Sequence, residues 1–221
     1  MATPLKYQYN YLPVKYLLSS YRALIDGRHG VLHLERLLGE DKLYVSDWKI
    51  AWIGTCTILR TAVSLFIKDG KSCLPEKLRF EITAEGKKLT KEKSENPIYH
   101  EFLLKERDNL IHQYEWRAYE RWLKPDGTYR VPHTIAMMMS AEHDDARPVI
   151  LMREGFYAGR DSLELLHESA DWVEARIYDA IGRAGYHPDE YRNAFDFSEM
   201  PKPPKTLLDA LSNDDSSSND K

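Results

Sequence analysis

The sequence has few of the residues and patterns that mark several large protein classes. It contains two cysteines, Cys56 and Cys73, which are too few for a disulfide framework. Glycine and proline number 11 each in 221 residues, and this excludes collagen-like and low-complexity chains. Positive charge is not in excess, because 31 lysines and arginines stand against 35 aspartates and glutamates and give a net charge of -4. Bulk charge therefore cannot hold this chain on a nucleic acid, and any such site must be a local basic groove.

The sequence also has no pattern typical of a membrane anchor or a secretion signal. The most hydrophobic stretch, Trp48 to Ile67, contains Lys49, Gly54 and Arg60, and charged side chains inside a bilayer are costly. The first 16 residues have no continuous apolar region and no small-residue cleavage pattern. We expect a soluble, cytoplasmic protein with reduced thiols and no membrane partner.

Apolar residues recur at three- and four-residue spacing in four segments, and this spacing predicts helices. The predicted helices cover about 14–38, 46–68, 97–122 and 161–181. Gly27 and Gly30 weaken the first helix and predict a kink. The second has the broadest apolar face, which predicts the buried central helix, and Asp69-Gly70 is expected to end it.

Two β-prone runs, Thr128 to Met139 and Arg147 to Tyr157, flank a polar loop and predict a β-hairpin. The fold class is therefore mainly α, with an up-and-down helical bundle and this hairpin inserted before the last helix. The predicted organisation is an N-terminal arm (1–13), a bundle (14–185, with the hairpin at about 128–157) and an extended, partly disordered tail (186–221).

One segment of the third helix combines side chains that are suited to catalysis or phosphate binding. It is Arg107-Asp108-Asn109-Leu110-Ile111-His112-Gln113-Tyr114. Arginine offers a permanent, forked cation for a phosphate, and histidine can transfer a proton near neutral pH. A tyrosine ring can stack on a base or donate a hydrogen bond. On an ideal helix Arg107 and Tyr114 share a face, whereas His112 lies about 140° round from Arg107. The two groups converge only if the helix distorts or a second subunit contributes.

This spacing of arginine, a polar residue, three further residues and histidine resembles the active motif of the HEPN superfamily (higher eukaryotes and prokaryotes nucleotide-binding domains). One toxin branch of that superfamily adds a tyrosine two residues after the histidine, which is the place of Tyr114. The resemblance implies a compact helical bundle, usually dimeric, that acts as an endoribonuclease without a metal or other cofactor. It also implies a toxin–antitoxin or phage-defence context, with RNA, a second copy of the chain and an antitoxin or defence protein as partners.

The resemblance further implies roles for individual residues. Arg107 would hold the scissile phosphate. His112 would take the proton from the RNA 2′-hydroxyl, or protonate the leaving oxygen, in a reaction that ends in a 2′,3′-cyclic phosphate. Asp108 fits the polar position and can pair with Arg107. Tyr114 would position the substrate or be a target of regulatory modification.

Two arginines follow the motif on the same predicted helix. Arg117 and Arg121 would contact the RNA backbone, since their charges continue along the chain from the proposed phosphate site.

The bare pattern is weak by itself, because 15 arginines and 8 histidines predict about 0.5 occurrences of Arg-x4-His by chance. It occurs twice, and the second copy runs from Arg28 to His33. We favour the copy at Arg107, because Tyr114 lies at the expected offset and the apolar residues between Arg107 and Tyr114 would pack this helix against the bundle.

Two other interpretations remain open. Asp26, His29 and His33 are spaced along one helical face and would be the ligands if the protein bound zinc or iron. Alternatively, Arg107 and His112 are structural residues of a non-catalytic HEPN-like module that binds a nucleotide or a partner protein within a larger complex.

Overall fold

The computed structural model describes residues 11–40, 44–73, 75–109, 117–130 and 146–197. This part of the chain is mainly helical, which confirms the predicted class. Its α-helices are α1 (Val14–Leu17), α2 (Ser19–Leu38), α3 (Val45–Ser72), α4 (Glu76–Lys91), α5 (Leu104–Asp108), α6 (Ser162–Arg183) and α7 (Ala194–Phe197). A 3₁₀ turn (Lys93–Glu95) and a π-helical segment (Ile98–Leu103) precede α5.

The four long helices form a ring of contacts in which α2 packs on α3, α3 on α4, α4 on α6, and α6 on α2. Helix α6 begins where the sequence predicts, because the Asp161 side chain accepts a hydrogen bond from the Leu163 amide at 2.8 Å. It ends just before Gly185, whose φ of 88° suits glycine. The sequence predicts at most one short helix, near Thr83 to Glu92, in the charge-rich stretch 71–96. The structure has more helix there, since α4 begins seven residues earlier, at Glu76.

Helix α3 is the central helix, as predicted. Its buried face carries Trp48, Trp52, Cys56, Leu59, Val63 and Phe66. By length and composition alone this helix is long and apolar enough to cross a bilayer, a test that the core helix of a soluble bundle also passes. It contacts α2, α4, α5 and α6, which is the environment of a core helix.

The predicted end of this helix at Asp69-Gly70 is wrong, because both residues are packed against neighbouring helices. The Asp69 carboxylate accepts hydrogen bonds from the backbone amides of Ser19 at 3.2 Å and Ser20 at 2.9 Å. It therefore caps the first turn of α2 from another helix. A side chain at Gly70 would lie 2.9 Å from the Thr83 hydroxyl on α4, so this position favours glycine through close packing.

Gly27 and Gly30 do not interrupt α2, which runs unbroken through both positions. A Cβ atom at Gly27 would lie 2.5 Å from Leu59 Cδ2, and one at Gly30 would lie 2.4 Å from Thr55 Oγ1. These glycines let the backbone of α2 approach α3 closely. Their weakening effect on the helix is outweighed by tertiary packing.

The region between α5 and α6 contains a small antiparallel sheet. Its strands β2 (Ala118–Leu123), β3 (Tyr129–Arg130) and β4 (Arg147–Met152) lie in the order β3-β2-β4. Ala118 is paired with Met152, and Leu123 with both Arg147 and Tyr129. Strand β4 contacts α6 and α2, so the sheet packs on the bundle.

This sheet corrects two predictions. The third helix does not continue to 122, because residues 118–123 form β2. The strand next to β4 is β2, whereas the sequence predicted a hairpin between β4 and the run 128–139. Pairing with a strand about thirty residues later buries Ala118, Ile150 and Met152 in the core, and this tertiary gain overrides local helix propensity. Residues 131–145 of the predicted hairpin lie outside the described part.

The two ends of the described chain meet in a second, two-stranded sheet. Strand β1 (Tyr11–Pro13) pairs antiparallel with β5 (Tyr191–Asn193). Helix α7 then places Phe197 in the core against Tyr186, with ring centroids 5.3 Å apart. Part of the predicted arm and part of the predicted tail are thus regular structure, while residues 1–10 and 198–221 lie outside the described part.

Candidate functional site

Arg107 lies near the end of α5, the short helix that follows the π-helical segment. Its neighbour Glu106 points into the core, and successive helical residues are about 100° apart, so Arg107 points toward the edge of the bundle. The Arg107 side chain is 27% exposed and forms an ion pair from Nη1 to Asp108 Oδ1. The predicted pairing of these two residues is confirmed.

His112 and Tyr114 lie outside the described residues. The convergence of the Arg107 guanidinium and the His112 imidazole therefore stays a prediction. The described part of the motif ends at Asn109, whose side-chain Nδ2 is buried and has no hydrogen-bond acceptor among the described residues.

Arg117 and Arg121 do not continue a helix, contrary to the prediction. Arg117 directly precedes β2, and its Nε lies 3.3 Å from Glu154 Oε1. Arg121 lies within β2, with its guanidinium carbon 4.5 Å from the centroid of the Tyr119 ring. Neither arginine therefore lies on the helix of Arg107, where the sequence analysis expected both.

Glu106 is a candidate functional residue that sequence reasoning missed. It is only 3% exposed, and its Oε2 accepts no hydrogen bond from any described residue. The pKa of Glu106 is raised to about 7, chiefly by burial and in part by the charge of Glu154. The guanidinium of Arg117 and the nearby indole N–H of Trp52 favour the charged form and limit the rise. The result is a buried carboxyl group that titrates near neutral pH.

The signal that could have found Glu106 is its helical spacing. It lies three and four residues after Leu103 and Phe102, both of which are buried. A glutamate on the apolar face of a helix is rarely buried without a partner. The motif drew attention to the charge of Arg107 and the proton chemistry of His112, and neither indicates a role for Glu106.

The second copy of the Arg-x4-His pattern has a different environment. Arg28 Nη2 lies 2.8 Å from Asp171 Oδ1 and 2.7 Å from Glu174 Oε2, both on α6. Two carboxylates therefore compensate this guanidinium, and it joins α2 to α6. His33 is exposed on α2. We assign this copy a structural role.

The alternative metal site is not assembled. Asp26, His29 and His33 are all exposed on α2, and within the described ranges no group of three or more histidine, cysteine, aspartate or glutamate side chains is placed to hold a metal ion.

Comparison of the chain with protein-family models, with curated protein sequences and with solved structures finds no match. The evidence for the candidate site therefore comes from the residues described above.

Proposed function

We propose that this protein is a metal-independent endoribonuclease of the HEPN type, in which Arg107 binds the scissile phosphate and His112 transfers the proton. The observation that carries this proposal is the position of Arg107. It lies on a short helix anchored to the core helix α3, and its side chain reaches the solvent at the edge of the bundle.

The guanidinium of Arg107 retains the capacity to bind a phosphate. Asp108 engages Nη1, and no described residue accepts a hydrogen bond from Nη2. A guanidinium has five N–H donors in a planar fork, so one carboxylate does not saturate it. The bound Asp108 would also fix the orientation of the fork before RNA arrives.

The proposed reaction is an internal phosphoryl transfer. His112 accepts the proton of the 2′-hydroxyl while the 2′-oxygen bonds to phosphorus, and the bond from phosphorus to the 5′-oxygen breaks. The leaving 5′-oxygen takes up a proton, and the products are a 2′,3′-cyclic phosphate and a 5′-hydroxyl. Arg107 stabilises the charge that develops on the phosphate oxygens.

The proposed setting is a cytoplasmic toxin–antitoxin or defence system, with RNA as substrate and a second copy of the chain completing the cleft. These partners are supported by the motif alone.

The test is cleavage of a single-stranded RNA in the presence of EDTA. We expect His112→Ala to slow cleavage by about 10²- to 10⁴-fold and Arg107→Ala by about 10²-fold or more. The chain offers its own matched control, because His33→Ala changes the histidine of the second Arg-x4-His copy. That variant should cleave at the wild-type rate.

Other outcomes would redirect the proposal. Full activity of His112→Ala would reject the assigned chemistry, and loss of cleavage on chelation would require a metal. RNA binding without cleavage by the wild type would favour the non-catalytic module. The observation that favours this second function is the Asp108 ion pair, which partly neutralises Arg107.

A further inference from the structure

Glu106 is not explained by the stability of the fold. Its carboxyl group is buried beside the central helix α3, where the Trp52 indole N–H is near enough to favour the charged form, although Glu106 Oε2 accepts no hydrogen bond of normal geometry from a described residue. A buried acceptor without a donor is destabilising, and native proteins rarely keep one without a reason. The groups that surround Glu106 should therefore explain why a carboxyl group is kept at this buried position.

Two charged groups from other elements face Glu106. Arg117 enters from the start of β2, where its backbone carbonyl accepts a hydrogen bond from the Arg153 amide at 2.7 Å. Glu154 follows β4, and its Oε1 lies 3.3 Å from Arg117 Nε. Glu106, Arg117 and Glu154 are named the Glu106 cluster below. One guanidinium thus faces two carboxylates, and among the described residues only the carboxylate of Glu154 forms an ion pair with it.

The charge of the cluster depends on a single proton. With both carboxyl groups ionised, its net charge is -1, since one arginine faces two glutamates. With Glu106 protonated, the net charge is zero. The Cys56 thiol adds no charge, because burial raises its pKa well above the usual value. On the same helix, Arg107 and Asp108 already compensate each other.

We propose that the Glu106 cluster is a proton-dependent positioning device for Arg107, in which neutral Glu106 keeps α5 docked on α3. This inference rests on the proposed function, because it gives Glu106 and Arg117 positioning roles at the same site. It also reassigns Arg117, which sequence analysis expected to contact RNA. The Arg117 guanidinium is instead committed to the cluster.

Ionisation of Glu106 has two consequences in the same direction. It leaves a buried negative charge, one oxygen of which, Oε2, accepts no hydrogen bond from the described residues, and this weakens the docking of α5. It also places this charge on the residue next to Arg107, which opposes binding of an anion. RNA binding should therefore weaken as the pH rises through about 7, the pKa of Glu106.

The experiment uses the full chain and two readouts between about pH 5.5 and about pH 8.5. The first is the dissociation constant for a 2′-O-methyl RNA oligonucleotide, which cannot be cleaved by 2′-hydroxyl attack. The second is the urea midpoint of unfolding. Glu106→Gln removes the titration while keeping the shape of the side chain. Glu35→Gln, at an exposed position on α2, is the matched control for the loss of one negative charge.

At the alkaline end we expect Glu106→Gln to bind the oligonucleotide about threefold more tightly than the wild type. Its urea midpoint should also lack the decrease that the wild type shows above neutral pH. Glu35→Gln should follow the wild type in both readouts. Wild-type behaviour of Glu106→Gln in both readouts would overturn the proposal.

The two proposals fail separately. If the wild type neither binds nor cleaves RNA, the proposed function fails. The urea midpoints then test by themselves whether the Glu106 cluster is proton-dependent. If Glu106→Gln does not fold, carbon NMR of the wild-type Glu106 carboxyl decides it. A titration midpoint near 7 supports the cluster, and a midpoint near the ordinary glutamate value of about 4.3 overturns it.

Discussion

Two glutamates of this protein are almost equally buried and yet differ in their hydrogen bonding. Glu85 on α4 is 1% exposed, and its two oxygens accept hydrogen bonds from Arg176 at 2.9 Å and Arg183 at 2.7 Å. Glu106 on α5 is 3% exposed, and one of its oxygens accepts no hydrogen bond from the described residues. Both carboxyl groups have left water, but of the two only Glu85 has donors among the described residues for both of its oxygens.

The difference separates structural from functional use of a buried charge. The donors of Glu85 come from α6, so its burial holds two long helices together. Glu106 gains no comparable bond, and its desolvation is relieved by taking up a proton instead. A buried acid with saturated bonds supports the fold, whereas one that titrates near neutral pH is a candidate for a functional role.

Of the variants that test this comparison, Glu85→Ala should change the free energy of unfolding most. We expect a loss of about 3 kcal/mol in the free energy of unfolding, because the change removes two charge-assisted hydrogen bonds between α4 and α6. Urea unfolding measures the loss. Glu81→Ala is the control, since Glu81 is more exposed and, among the described residues, pairs with Arg183 alone. Equal losses in the two variants would show that the burial of Glu85 contributes nothing extra.

Glu106→Gln should change stability with the opposite sign. The folded-state pKa of about 7 lies above the ordinary value, so the proton-linked stability is full below about pH 4.5 and is lost as the pH rises through 7. At about pH 8 we expect the variant to be more stable than the wild type by about 2 kcal/mol. At acidic pH the two should be nearly equal. Destabilisation at all pH values would place Glu106 in the same class as Glu85.

A smaller loss is expected for Asp69→Ala. This buried carboxylate resembles Glu85 in having donors, but these are the backbone amides of Ser19 and Ser20. Removing a helix cap should lower the free energy of unfolding by about 1–2 kcal/mol. Hydrogen exchange of the first turn of α2 should accelerate. Unchanged exchange there would contradict the capping role.

The smallest effect should come from Arg28→Ala, which tests the second Arg-x4-His copy. Its ion pairs with Asp171 and Glu174 are partly exposed, so we expect a loss below about 1 kcal/mol. RNA cleavage should be unchanged. A marked loss of cleavage with normal unfolding would move the active site to this copy.

The long helices were predictable because their signals are local. Helix α6 has an N-cap at Asp161 and apolar residues at helical spacing, and both features work without help from distant residues. Helix α3 was located for the same reason. Its continuation beyond Asp69 could not be predicted, because capping of α2 by this carboxylate depends on a contact between two helices.

The candidate site was predicted only in part for a related reason. The sequence shows Arg107 and its partner Asp108, which are adjacent in the chain. It does not show that residues 118–123 leave the helix, since the pairing of β2 with β4 is decided about thirty residues later. The charges that act on Glu106 belong to Arg117, just before β2, and Glu154, just after β4, and no local pattern contains all three residues.

The pairing of β1 with β5 has a practical consequence for anyone who attaches something to this protein. Tyr11 and Asn193 are register partners, so the first and last strands of the described chain lie side by side. A pair of labels attached to these two strands would share the same neighbourhood and would separate only if β1 and β5 came apart.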